Sequence, residues 1–308
     1  MMTIPKPLRP GDTVALVGVS GCLHVDGVQE RVIRCAQKLT DLGFRVKVDP
    51  TCAKQFGYLS GTDEERAAAL NRAFADDEVD GVWCIKGGYG CIRMLEYVDW
   101  ELIKAHPKPF IGFSDITTLH LAMQEKCGLA TFHGPMPNGD AFPGEGDYAK
   151  SLLGAIAGTP DAELANPDGS PLKCLRPGVA EGQIIGGNMS LMAAATGTSS
   201  DFDTTGRIVF MEEIGEHTYA IDRMLWQMLT AGKFDRCAGI VFGAFTNCTN
   251  EYPESGFELD EIIAQFVAKV RVPVLWGLQA GHIGNSLTVP LGRRYRMDAE
   301  QGSITLID

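Results

Sequence analysis

The segment Ile111-Gly112-Phe113-Ser114-Asp115 holds the sharpest local chemistry in this 308-residue chain. An apolar run ends in Gly-Phe-Ser, and the helix-forming stretch ITTLHLAMQEK starts at once. A serine on such a strand-to-helix turn points its hydroxyl out of the sheet. The helix start behind it offers unbonded N–H groups and the positive end of the helix dipole. Those groups can hold the oxyanion that forms when an acyl carbon is attacked. The pattern is close to the nucleophile elbow G-x-S-x-G but lacks its second glycine. The alternative is that Ser114 or Asp115 caps the helix. A second feature, Lys86-Gly87-Gly88-Tyr89-Gly90, follows the apolar run 81–85. Its glycines let backbone N–H groups approach a ligand closely. It matches neither G-x-x-x-x-G-K-[ST] nor G-x-G-x-x-G, so it is either a tight turn or the source of a second oxyanion donor.

A serine nucleophile needs a base, and the base needs an orienting acid. Of the six histidines, His282 stands out between glycines in Ala280-Gly281-His282-Ile283-Gly284. His120 falls inside the helix after Ser114, and His106 lies in a polar loop. The apolar run 208–211 ends in Glu212-Glu213, where either carboxylate could accept from an imidazole N–H; surface charge at a strand end is the alternative. No His/Cys/Asp/Glu grouping has zinc spacing and there is no H-E-x-x-H, so neither a metal nor another cofactor is expected. The nine cysteines include no C-x-x-C pair. They read as small core residues rather than a disulfide framework, with Cys91 the first candidate for a thiol nucleophile.

The elements that must position these groups alternate. Strand-like runs at 13–19, 45–48, 81–85 and 109–113 alternate with helical patterns at 28–42, ended by Gly43, and from the capping box at 62–65 onward. Strands of this kind form a parallel sheet covered on both faces, with ligands beyond their C-terminal ends. Ser20-Gly21, the loop 87–90 and Ser114-Asp115 all lie there. Composition shifts after Met136, and the Pro/Gly/Asp-rich stretches 137–147 and 166–177 read as a connection. We expect a first domain over 1–140, a linker region over 141–178 and a second domain over 179–308. In the latter, strands at 208–212, 239–242, 287–290, 294–297 and 303–307 are interrupted by helices at 218–231 and 259–267, which makes a smaller mixed α+β domain. With net charge -12 and pI about 5.0, the chain disfavours nucleic acid and anionic membrane surfaces. The N-terminus lacks a signal-peptide core and no apolar run is long enough to span a bilayer, so the cytoplasm is the expected compartment.

Taken in order, Gly57-Tyr58-Leu59-Ser60-Gly61-Thr62-Asp63-Glu64-Glu65-Arg66, the loop 86–90 and Gly112-Phe113-Ser114-Asp115 resemble the LD-carboxypeptidase family of serine peptidases, which also includes the microcin C self-immunity hydrolases. Phe132-His133-Gly134-Pro135-Met136, Gly186-Gly187-Asn188, residues 212–217 with 221–225, and Gly281-His282 with 288–292 extend the resemblance over nearly the whole chain. It implies an α/β fold, with an N-terminal flavodoxin-like parallel sheet and a smaller C-terminal domain holding a β-barrel-like sheet. It implies a Ser-His-Glu triad of Ser114, His282 and Glu212, spanning both domains, with Glu212 preferred over Glu213 as the first carboxylate after the apolar strand. The backbone N–H groups of Asp115 and Gly88 would form the oxyanion hole, and Lys86 or Arg223 would meet a substrate's terminal carboxylate. Lys86 replaces an arginine common in the family, and Val17-Gly18-Val19-Ser20-Gly21 departs from its usual Ala-Pro-Ser or Ser-Pro-Ser run. The implied reaction is release of terminal D-alanine from a murein tetrapeptide, and the implied assembly is a homodimer. A microcin-type hydrolase of aminoacyl-nucleotide amides and a non-catalytic peptide-binding protein are the rival readings.

Overall fold

The computed structural model describes residues 2–308; Met1, where the expected first domain begins, lies outside them. The chain divides into two compact units, one of Met1–Pro160 with Thr288–Pro290, the other of Asp161–Leu287 with Leu291–Asp308.

The first unit holds β1 (Thr13–Val17), α1 (Val28–Asp41), β2 (Arg45–Val48), α2 (Asp63–Ala75), β3 (Gly81–Cys84), α3 (Cys91–Met94), α4 (Trp100–Ala105), β4 (Phe110–Gly112), α5 (Thr117–Ala122), β5 (Thr131–His133) and α6 (Asp147–Ile156). The second holds β6 (Lys173–Arg176), β7 (Val179–Asn188), α7 (Met189–Ala195), β8 (Ile208–Ile214), α8 (Thr218–Thr230), β9 (Gly239–Thr246), α9 (Leu259–Val267) and β10 (Val274–Trp276). The chain then adds β11 (Val289–Leu291) to the first sheet and closes with β12 (Arg294–Asp298) and β13 (Ser303–Leu306) in the second. Among the described residues, no helix is long and apolar enough to cross a membrane.

The first sheet runs in the order β11-β5-β4-β3-β1-β2. Its β2-β1-β3-β4-β5 portion is parallel and follows the flavodoxin-like order. Alternation along β1 explains the two apolar layers. Val14 and Leu16 face one layer, with Val32, Cys35 and Leu39 of α1 and Leu152, Ala155 and Ile156 of α6. Ala15 and Val17 face the other, with Leu70 and Phe74 of α2 and Leu119 of α5. Two sequence signals work as expected. Thr62 and Glu65 form a complete capping box at the start of α2, and Gly43 takes φ 94° just beyond the end of α1.

The second sheet has seven strands in the order β13-β12-β7-β8-β9-β10-β6. Its centre, β7 to β10, is parallel, whereas β12, β13 and β6 pair antiparallel. It curls into a half-barrel. Within the stretch expected to link the domains, α6 packs into a core of the first unit and β6 becomes an edge strand of the second sheet.

Candidate active site

Ser114 sits where β4 ends, and its backbone carries φ 67°. A residue with a Cβ adopts this left-handed conformation only when its surroundings impose it, and such strain collects at functional sites. Here a 3₁₀ turn, Ser114–Ile116, runs straight into α5. Neither the turn nor the helix has a side-chain cap. The capping alternative therefore fails for Ser114. It fails for Asp115 too, because its carboxylate accepts from Ser20 Oγ at 2.6 Å and from the Cys91 N–H at 2.9 Å. The Ser114 hydroxyl lies against the glycine loop. A Cβ built on Gly87 would stand 2.8 Å from Ser114 Cβ and 3.0 Å from its Oγ. Gly87 is thus glycine because the loop must pass this closely behind the serine. In the same loop Gly88 is exposed and takes φ 128°.

His120, fully buried behind this turn, bonds the Gly112 carbonyl at 2.8 Å through Nε2. Burial holds its pKa down to about 4, so the ring is neutral. Its bond to the Gly112 carbonyl and its complete burial make it a brace of the turn. Cys91 is fully buried, and desolvation, reinforced by the Asp115 charge, pushes its thiol well above the ordinary range. A thiolate nucleophile there is excluded.

In the second unit, Glu212 and His282 meet. Glu212 Oε2 accepts from His282 Nδ1 at 2.7 Å and from the His282 backbone N–H at 3.2 Å. The carboxylate is completely buried and the imidazole largely so. With its proton donated from Nδ1, the ring presents Nε2 as the basic nitrogen. Two local features lie at the pair. The β8–β9 register shifts between Met211 and Glu213, with the extra residue on β9 opposite Glu212. Gly281 has φ 125°, and a Cβ there would lie 2.5 Å from Glu212 Oε2. Its neighbour Glu213 turns elsewhere, accepting from Asn188 Nδ2, the Ser190 N–H and hydroxyl, and the Ile214 N–H. Burial raises the Glu213 pKa despite these bonds.

The two cations differ in their surroundings. Lys86 Nζ donates to the Cys22 carbonyl at 3.0 Å and is half-buried. Arg223 is exposed on α8 and lies over the Tyr219 ring at 5.8 Å. Sequence reading missed Ser20, Arg66 and Asn188 as individual groups. Each lay inside a stretch already singled out, but nothing local marked its side chain as buried and bonded.

A strained strand-end serine and a buried Glu–His pair are the groups an acyl hydrolase uses. Comparison with known proteins agrees. Residues 14–134 match the LD-carboxypeptidase N-terminal domain and residues 181–297 its C-terminal domain. A probable murein peptide carboxypeptidase of Bacillus subtilis is 37% identical over 302 residues, covering 96% of this chain and 92% of that protein. A murein tetrapeptide carboxypeptidase of Pseudomonas aeruginosa is 33% identical over 249 residues, covering 78% and 79%. Among solved structures, the microcin C7 self-immunity protein MccF in complex with aspartyl sulfamoyl adenosine has the same fold, with TM-score 0.87 at 24% identity over 99% of this chain and 98% of that one. The chain belongs to the LD-carboxypeptidase family. It is a carboxypeptidase of the serine type.

Proposed function

We propose that this carboxypeptidase cleaves the amide between an L-configured centre and a terminal D-alanine, in tetrapeptides derived from murein. Ser114, His282 and Glu212 act as its triad. The observation that carries the triad is the left-handed backbone of Ser114 at the end of β4, held against a glycine loop. The relatives' names support the substrate class.

Ser114 Oγ attacks the acyl carbon while His282 Nε2 takes its proton. The Asp115 and Gly88 N–H groups receive the oxyanion, and the tetrahedral centre collapses. The leaving amine of D-alanine takes the proton back from His282. A water activated by the same nitrogen then releases the acyl group from Ser114. Glu212 keeps the Nδ1 proton in place and stabilises the imidazolium. Lys86, next to the glycine loop, and Arg223 are the cations proposed for the substrate's terminal carboxylate. We further propose that the enzyme works in the cytoplasm, the compartment its sequence leads us to expect, that it forms the homodimer the family resemblance implies, and that its acidity keeps it from nucleic acid.

Mass-spectrometric turnover tests this reading. Wild type should release D-alanine from a murein tetrapeptide, and Ser114→Ala should lose at least about 10³-fold in rate while keeping its fold. Unchanged release by Ser114→Ala would sink the nucleophile assignment. Turnover of aspartyl sulfamoyl adenosine without turnover of the tetrapeptide would hand the substrate to the microcin-type reading.

A further inference from the structure

An oxyanion hole works only if its donors are held at a fixed spacing before charge develops. The loop proposed to supply one donor has little of its own to hold it. Gly88 and Gly90 take φ 128° and 124°, and glycine backbones have wide freedom. Buried polar groups tie this loop at both ends. At its leading end the Gly21 N–H donates to the Gly87 carbonyl at 3.3 Å. At its trailing end Arg66, fully buried, donates to the Gly90 carbonyl at 2.9 Å and to the Val19 carbonyl at 2.8 Å. Arg66 is itself paired with Asp63. The last tie comes from the nucleophile's neighbour. Asp115 Oδ2 accepts both the Cys91 N–H, one residue past the loop, and the hydroxyl of the fully buried Ser20. Asp115 Oδ1 is buried with no partner among the described residues, so these two bonds are the carboxylate's anchorage.

We propose that the Asp115 side chain, with Ser20 as its partner, is the positioning group of the oxyanion hole. It fixes the loop after β3 to the Ser114 turn, and it does so from the residue whose own N–H is the other donor. The proposal rests on the reading of Ser114 as nucleophile. Arg66 is the second clasp, which gives the 57–66 motif a purpose although it carries no reacting group. The role is geometric, because a carboxylate beside a developing oxyanion repels it rather than stabilising it. Asparagine, placing its Oδ1 where Oδ2 now lies, keeps both bonds; alanine keeps neither.

The test compares Ser20→Ala, Asp115→Ala and Asp115→Asn in the full chain, with Ser114→Ala alongside. Three quantities are read: kcat and KM for D-alanine release, the thermal midpoint, and the rate at which a fluorophosphonate labels Ser114. In the labelling step the Oγ–P bond forms as P–F breaks, fluoride leaves, and the Oγ proton passes to the base. Loss of one oxyanion donor costs about 10²–10³ in kcat. Asp115→Ala should approach that loss and Ser20→Ala should lose about tenfold. Both should fall in kcat and labelling rate with KM nearly constant, and Asp115→Asn should recover most of what Asp115→Ala loses. If Asp115→Ala does not fold, Ser20→Ala and Asp115→Asn decide. Ser20→Ala at wild-type kcat and labelling rate overturns the proposal. So does Asp115→Asn falling at least as far below wild type as Ser20→Ala, which would make the role one of charge. Activity retained by Ser114→Ala instead overturns the nucleophile reading beneath it.

Discussion

Around Ser114 the chain spends backbone strain and side-chain volume on one arrangement. The serine holds φ 67° and Gly87 gives up its side chain so that the loop can lie against it. An alanine at 87 would put a methyl carbon 2.8 Å from Ser114 Cβ, well inside van der Waals contact. Backbone crowds the position as well, with the Phe113 carbonyl at 3.3 Å, so the clash is relieved only by moving the loop or the serine. Gly87→Ala should therefore cut kcat by about 10²-fold, the scale of a misplaced reacting group. Its thermal midpoint should fall by only a few degrees, as calorimetry would check. At this scale much was legible. Ser114 stood out from its strand-to-helix setting and His282 from its flanking glycines. The choice between Glu212 and Glu213 was not legible from the residues themselves. Two adjacent acids at a strand end look alike until the fold supplies their partners, His282 for one and Asn188 and Ser190 for the other, on the opposite faces that strand alternation gives them.

Among the elements, the turn from β4 into α5 depends on a histidine kept neutral. His120 titrates near 6.5 when unfolded and at about 4 when buried behind the turn. Between those values the unfolded chain binds more protons than the folded one. The stabilisation is complete above pH 6.5, declines as pH falls through the window, and is gone below about 4. The total is about 3 kcal/mol. Urea titrations from pH 7 to pH 4 should show this slope, and His120→Gln should show less of it while starting from lower stability at pH 7. A wild-type slope in His120→Gln would refute it. Elements with plain periodicity or caps were legible: α9 has the expected bounds, and α1 and α8 end one residue short of theirs. The strand β7 was not recognised, for a physical reason. Gly182, Gly186 and Gly187 make it look like a turn, yet a Cβ on Gly186 would lie 2.0 Å from the Phe210 carbonyl oxygen and one on Gly182 2.4 Å from that of Gly206. Its glycines serve close approach to β8 and the segment before it, and no local pattern separates that use from a loop.

For the molecule as a whole, the two-part α/β architecture could be read from strand–helix alternation followed by short mixed strands. The return of the chain to the first sheet could not: the strand expected at 287–290 falls within the expected second domain, whereas β11 pairs with β5, and nothing in so short a run says which sheet it joins. Assembly belongs to this scale too. Light scattering at micromolar concentration should give twice the 33.3 kDa chain mass if the proposed homodimer forms, and a single chain mass would refute it. With net charge -12, that mass should not change when duplex DNA is added.

The late return of β11 bears on how such a chain is made. Synthesis delivers β1 to β5 early, but β11, the neighbour of β5 in the sheet, arrives only after the chain has been made through Leu291. Until then β5 offers a bare edge, with unpaired backbone donors and acceptors that invite pairing with other nascent chains. Thr288, whose side chain is buried beside Gly134, cannot yet pack there either. The first unit, although encoded first, is among the last parts to be completed, and its exposed edge is where a chaperone would have most to protect.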